Sequence, residues 1–281
     1  VIIKDVSIVS GANIDGITSE NSGDLGNLSV TTWSFAESKV KRDVEARISN
    51  ILAQMTLEEK VGQMVQAEIG AVTPEDIRLY DIGSVLNGGG SHPNGKASAV
   101  SEWVALADRY FDASTDVRDG GVGIPIIWGT DAVHGHNNVM GATIFPHNIG
   151  LGAMNNAELV KEIGEITALE VASTGIDWTF APVVAVIRDD RWGRSYEGYS
   201  EDPEIVRAYS YAMVEGLQGE GGTGDLFNSG RIVATAKHFI GDGGTTNGID
   251  QGNTDISEKD LRDIHGARYF SSLQALSLIH I

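Results

Sequence analysis

Short, continuously apolar stretches alternate along this chain with amphipathic stretches of helical period, and that alternation constrains the fold more than any other feature. The apolar stretches are Ile82–Leu86, Ile124–Trp128, Trp178–Val186 and Ile232–Ala236. Helical periodicity predicts helices over about 43–55, where Val44, Ile48, Ile51, Leu52 and Met55 recur on one side, and over about 97–113 and 257–271. Thr56-Leu57-Glu58-Glu59 reads as a capping box that opens a further helix, because the Thr hydroxyl accepts from the third helical N–H and Glu59 reaches back. Leu159, Ile163 and Ile166 mark a helix that stops near Gly175. Asp202-Pro203 supplies an N-cap followed by proline at the first helical position. Apolar strands alternating with helices predict parallel βα units with both sheet faces covered.

Periodicity alone leaves a doubly wound sheet and a closed barrel open. The polar residues favour the barrel. Asn87, Asp131, Arg188 and Lys237 each fall at the downstream end of an apolar stretch, and in a barrel those ends converge on the face where an active site is built. The fold class expected is therefore α/β, a (β/α)8 TIM-like barrel. With 39 Asp+Glu against 20 Lys+Arg, the net charge is −19, which argues against nucleic acid or an anionic membrane as partner. No apolar run reaches the length of a spanning helix. The absence of cysteine excludes thiolate metal sites and a cysteine nucleophile.

Three constellations carry possible chemistry. Gly90–Lys96 fits the spacing G-x-x-x-x-G-K after a strand, but Ala97 stands where a magnesium-binding hydroxyl is required, and Pro93 removes a backbone donor. His134 and His136 make an H-x-H pair of the kind found in metal-dependent barrel hydrolases, with Lys237, His238 and His265 as further candidates. Against it, consecutive residues on a strand point apart, so Lys237 and His238 should diverge. The third is a polyol pocket of Asp131, Arg194, Glu197, Lys237 and His238, with Trp128, Trp178 and Trp192 nearby. Carboxylates accept from sugar hydroxyls, Arg and Lys donate to their oxygens, and indole faces suit the C–H side of a pyranose. On residue types alone, a salt-bridged loop over core tryptophans stands equally beside the pocket.

At these residues the sequence resembles glycoside hydrolase family 3, in its β-glucosidase and exo-β-glucanase branch. The resemblance runs from about Val44 to Ala275 through MTLEEKVGQM (55–64), GTDAVHGHNN (129–138), GATIFP (141–146), RWGRSYEGYSEDP (191–203) and Lys237-His238-Phe239. It implies a barrel domain whose pocket grips a terminal non-reducing β-D-glucosyl unit of a β-glucoside or β-glucan, with Asp131, Arg194, Lys237 and His238 on the glucose hydroxyls and Glu197 orienting Arg194 or reaching the sugar. It implies no cofactor and no metal. Retaining hydrolysis needs two carboxyl groups about 5–5.5 Å apart. In this branch the nucleophile Asp lies in a Ser-Asp-Trp-like motif, absent here, and the acid/base Glu comes from a following α/β sandwich domain. Both are expected past Ile281, so no catalytic residue is assigned within the chain. The loop Gly241–Asp250 holds Asp242 but no Asp-x-His, which sets it apart from the β-N-acetylglucosaminidase branch.

The expected organisation is a loose N-terminal arm over 1–40, a partial barrel incomplete at its C-terminal end over 41–275, and a tail over 276–281. The tail matches the translation of a common transposon-end sequencing adapter and is excluded from the fold. The parent is expected to be exported, periplasmic or secreted, and the chain itself inactive. The rival readings are a sugar-binding barrel without catalysis and a metal-dependent hydrolase using His134 and His136.

Overall fold

The computed structural model describes residues 39–118, 120–220, 226, 228–275 and 278–279. The arm expected over 1–40 falls almost entirely outside them. Two units are separable, Val1–Lys60 and Val61–Ile281. In the first, α1 (Lys39–Gln54) forms where the apolar period predicts it, and Val44, Ile48 and Leu52 on its apolar side are solvent-exposed. Thr56 and Glu59 make the expected reciprocal box at the start of α2 (Leu57–Gly62): the Glu59 N–H donates to the Thr56 hydroxyl at 3.2 Å, and the Thr56 N–H donates to the Glu59 carboxylate.

The second unit is built on a sheet of β1 (Gln66–Glu68), β2 (Ser84–Asn87), β3 (Ile127–Thr130), β4 (Trp178–Thr179), β5 (Val233–Ala236) and β6 (Leu278–Ile279). Neighbours pair in sequence order, and every pair is parallel. A doubly wound sheet reverses its strand order at a switch point. None occurs among the described strands, so the sequential order is that of a TIM-like barrel. Leu278 and Ile279, set aside in the sequence as part of a tail, pair with Thr235 and Ala236.

Alternation divides each strand between two environments. Val85, Trp128, Ala234 and Ala236 are buried in the main core, which also holds Trp103, Leu106, Val160, Val206 and Leu217 from the helices α4 (Val100–Thr115), α6 (Ala157–Ala172) and α7 (Pro203–Gln218). The register places Leu86, Gly129 and Trp178 in one row on the other face, and Ile127 on that face stays exposed. Continuous apolar strands therefore do not have both faces covered as expected: this second face borders the cleft described below. Gly129 is required there, since a Cβ would come within 2.5 Å of the Phe180 ring.

Helices α6 and α7 meet at Gly164 and Gly216, and a Cβ on Gly216 would lie 2.3 Å from the Lys161 carbonyl oxygen. Asp202 caps α7, its carboxylate accepting from the Glu204 N–H, with Pro203 at the first position. Gly175 sits at φ +78, three residues past the end of α6. The chain also holds α3 (Pro74–Tyr80), α5 (Asn148–Met154), α8 (Glu258–Asp260), a π-helical turn (Leu261–Gly266) and α9 (Ala267–Gln274). The apolar run Trp178–Val186 is a strand only over its first two residues. Pro182 has no N–H for a ladder, and beyond it Val183 and Val186 make single bridges to Lys237 and Ser200.

Candidate functional site

Asp131 directly follows β3 and Lys237 directly follows β5, so the parallel sheet delivers both to the same end of the strands. Lys237 Nζ donates to Asp131 Oδ1 at 2.5 Å. The Lys237 side chain is only 7% exposed against 39% for Asp131, which makes the lysine the more dependent partner. Its ammonium also lies 6.0 Å from the Phe180 ring centroid, at the outer range of cation–π attraction.

Arg194 and Glu197 come from the loop after β4, where a 3-10 turn (Ser195–Glu197) folds the carboxylate back on the guanidinium. The pair is a fork: Arg194 Nε and Nη2 donate to the two Glu197 oxygens at 2.7 and 2.8 Å. The Glu197 hydrogen bonds raise the Arg194 pKa above its already high ordinary value, against an opposing effect of burial. Arg194 Nη2 also lies 3.4 Å from His238 Nε2, and His238 Nδ1 lies 2.7 Å from Asp242 Oδ2. A guanidinium only donates. His238 Nε2 is therefore the acceptor, and the ring proton sits on Nδ1 and donates to Asp242. Behind the site, the Tyr269 hydroxyl donates to the His238 carbonyl. The buried Arg268 donates from Nε to the Val184 carbonyl at 2.7 Å, and the Val184 N–H donates to the Lys237 carbonyl. Burial brings the Arg268 pKa down to about 10, so it stays charged at neutral pH.

All five residues singled out in the sequence, Asp131, Arg194, Glu197, Lys237 and His238, line one cleft of ≈ 440 Å³ with Gln66, Leu86, Phe180, His134, His147 and Tyr196 among the others. Lys237 and His238, expected to diverge, face it together, because β5 ends at Ala236 and strand alternation no longer governs them. Asn87 and Arg188 do not line it. Asn87 accepts from the Trp128 indole N–H at 2.9 Å, and Arg188 donates to the Glu201 carbonyl. The tryptophans are not pocket walls either. Trp128 and Trp192 are buried, and the Trp178 and Trp192 indoles donate to Thr235 and Asp250. The cleft's aromatic lining is instead Phe180, Tyr196 and the imidazoles of His134, His147 and His238.

The H-x-H pair separates. His134 lines the cleft, whereas His136 is fully buried and bonded to Thr174 at 2.9 Å. Burial lowers the His136 pKa to about 4. Among the described residues no group of three or more His, Cys, Asp or Glu is placed to hold a metal ion. The glycine-rich Gly90–Lys96 segment ends before α4 begins at Val100, so it presents no helix N-terminus at Lys96 to a phosphate.

The sequence profile of the "Glycosyl hydrolase family 3 N terminal domain" matches residues 56–279. The chain belongs to glycosyl hydrolase family 3. This family 3 domain is 36% identical over 240 residues to the lysosomal beta glucosidase of Dictyostelium discoideum, covering 79% of the chain and 28% of that protein. It is 28% identical to the periplasmic beta-glucosidase of Salmonella typhimurium, covering 82% of the chain and 28% of that protein. Among solved structures, the exo-1,3/1,4-beta-glucanase of a Pseudoalteromonas species superposes with a TM-score of 0.80 at 56% identity, over 83% of the chain and 29% of that protein. The beta-glucosidase of Listeria innocua in complex with isofagomine superposes with a TM-score of 0.69 at 27% identity, over 84% and 31%. The family 3 domain thus spans less than a third of the length of each. Among its described residues, no helix is long and apolar enough to cross a membrane.

Proposed function

We propose that the cleft holds the terminal non-reducing β-D-glucosyl unit of a β-glucoside or β-glucan, as part of a retaining β-glucosidase or exo-β-glucanase. The observation that carries this reading is the convergence of two acid–base pairs, Lys237–Asp131 and Arg194–Glu197, with the Asp242-anchored His238 on one cleft at the downstream strand ends. Each carboxylate is already held by a cation or a ring N–H, so it serves as a fixed acceptor for hydroxyl protons. The cations donate to hydroxyl oxygens with charge-assisted strength. A neutral polyol matches this alternation of donors and acceptors; a phosphate or a cation matches only half of it.

In this reading these residues bind rather than break bonds. Double displacement needs a nucleophilic carboxylate and a separate acid/base, and we assign both to parts of the parent protein beyond Ile281, including an α/β sandwich domain that completes the pocket. The 281-residue chain alone then binds sugar without hydrolysing it. A relative named periplasmic supports an exported parent. Purified chain incubated with a chromogenic β-glucoside tests the reading: release at the rate of a matched blank is expected, and turnover above it contradicts the assignment of the catalytic pair. Chelation should change neither binding nor this result.

A further inference from the structure

Asn-Gly steps occur in the sequence at Asn87-Gly88, Asn94-Gly95 and Asn247-Gly248. Such a step is chemically weak, because the glycine nitrogen, unhindered by a side chain, can attack the asparagine Cγ and close a succinimide ring. The fold treats the three differently. Asn87 ends β2, is fully buried, and its Oδ1 accepts from the Trp128 indole. Asn247 is exposed, but the attacking nitrogen is held in a 3-10 turn (Thr246–Gly248). The Gly248 N–H donates to the Thr245 carbonyl at 3.0 Å, and a Cβ on Gly248 would lie 2.6 Å from the Trp192 nitrogen. Asn94 and Gly95 are both exposed, and nothing lies within 4 Å of a Cβ built on Gly95. The Gly95 N–H meets no acceptor in good hydrogen-bond geometry among the described residues. Both belong to the glycine-rich Gly90–Lys96 segment, which has no part in the cleft.

We infer that Asn94 is a site of spontaneous modification, deamidating through a succinimide in the folded chain. The Gly95 nitrogen loses its proton to hydroxide or a buffer base and forms a bond to Asn94 Cγ. The Cγ–Nδ2 bond breaks, and the side-chain nitrogen leaves as ammonia. Water then opens the ring at either carbonyl, leaving Asp or isoaspartate at position 94, with nothing oxidised or reduced. The change reaches α4. Asn94 Nδ2 donates to Glu102 Oε1 at 3.0 Å, and Glu102 Oε2 accepts from the Ala99 N–H at 2.7 Å at the start of that helix. The bond from Asn94, and after it the bond from Ala99, holds the Glu102 carboxyl below its ordinary pKa. The Asn94 bond is exposed, so water replaces it while the ring closes. Deamidation exchanges that donor for a carboxylate facing a carboxylate. The isoaspartyl product also adds a methylene to the backbone where the Asn94 N–H donates to Ser98 Oγ at 2.9 Å. Both products weaken the entry to the helix that buries Trp103, Leu106 and Tyr110.

The test is peptide mapping by mass spectrometry of the full 281-residue chain aged in mildly alkaline buffer, beside the same chain aged in urea. In urea the three Asn-Gly steps are expected to convert at similar rates. Without urea, Asn94 is expected to convert about tenfold faster than Asn87 or Asn247, the factor that ~1.4 kcal/mol of barrier gives, with isoaspartate in the product. Equal conversion of Asn94 and Asn247 without urea overturns the inference, as does an unmodified Asn94 when the urea sample has converted. So does a preference for Asn94 of the same size in urea, which leaves the fold no part in the selection. Two variants test the link to α4. Asn94→Asp should lower the denaturation midpoint, and Glu102→Gln added to it should restore part of the loss, because Gln still caps the helix and ends the repulsion. An Asn94→Asp chain as stable as the parent sequence overturns that link.

Discussion

The two halves of the cleft solve opposite problems. On one side, Asp131, Lys237, Arg194, Glu197, His238 and Asp242 are mutually paired, and Lys237 is almost wholly withdrawn from water. On the other, His134, His147 and Tyr196 contact each other through their rings and leave polar atoms unpaired among the described residues, with Tyr196 46% exposed. The paired side is costly to assemble, because each charge taken from water must find a partner of good geometry. Once assembled it is rigid and holds a fixed pattern of donors and acceptors. The ring side costs little to assemble and tolerates variation. The contrast predicts that substitutions on the paired side disturb folding and binding together, whereas those on the ring side leave stability nearly unchanged.

The largest effect should come from Asp131→Ala, which leaves Lys237 buried and uncompensated. Chemical denaturation is expected to show a loss of about 3 kcal/mol, the lower end for breaking a buried pair because Asp131 itself is partly solvated. Lys237→Met leaves only the better solvated carboxylate, so its stability cost should be clearly smaller; equal costs would refute the asymmetry. A pH titration of stability reports on the two buried histidines of the core. His136 and His265 are each lowered to about 4 by burial, His265 additionally by Arg268 and Arg188. Between about pH 6.5 and 4 the unfolded chain binds protons at these sites that the folded chain does not, so stability is fully present above 6.5 and falls as pH drops. The expected loss is about 3 kcal/mol from His136, and His136→Gln should flatten the curve in that window. Arg194→Lys keeps the charge but loses the two-pronged bond to Glu197, and a roughly tenfold drop in glucose affinity is expected by titration. Tyr269→Phe should cost least. Loss of its bond to the His238 carbonyl is worth about 1 kcal/mol in denaturation.

What could be read in the sequence followed from where each residue sits on its strand. Asp131 and Lys237 were legible because each follows a run of apolar residues, and a parallel sheet carries such positions to one end. Arg194 and Glu197 lie in a loop, where no periodicity places them; residue types put them in the pocket or in a salt-bridged loop equally, and the motif resemblance favoured the pocket. β1 escaped notice because Gln66–Glu68 is three residues long and carries polar side chains on its cleft side. α3 does carry a local signal: Thr73 and Asp76 form a capping box with Pro74 at the first turn. The tryptophans misled because an indole needs only one acceptor to be comfortable in a core. Asn87, Thr235 and Asp250 supply those acceptors from positions distant in sequence. The ring wall was invisible for a related reason, since it joins His134 to His147 and Tyr196 across loops that no local pattern connects.

The most direct test of the central claim is a titration of D-glucose into the 281-residue chain, followed through the imidazole NMR signals of His238. Saturable shifts of His238 that vanish in Lys237→Met are the predicted result. Saturation without movement of His238, or binding that survives Lys237→Met unchanged, would show that the paired charges do not hold the sugar.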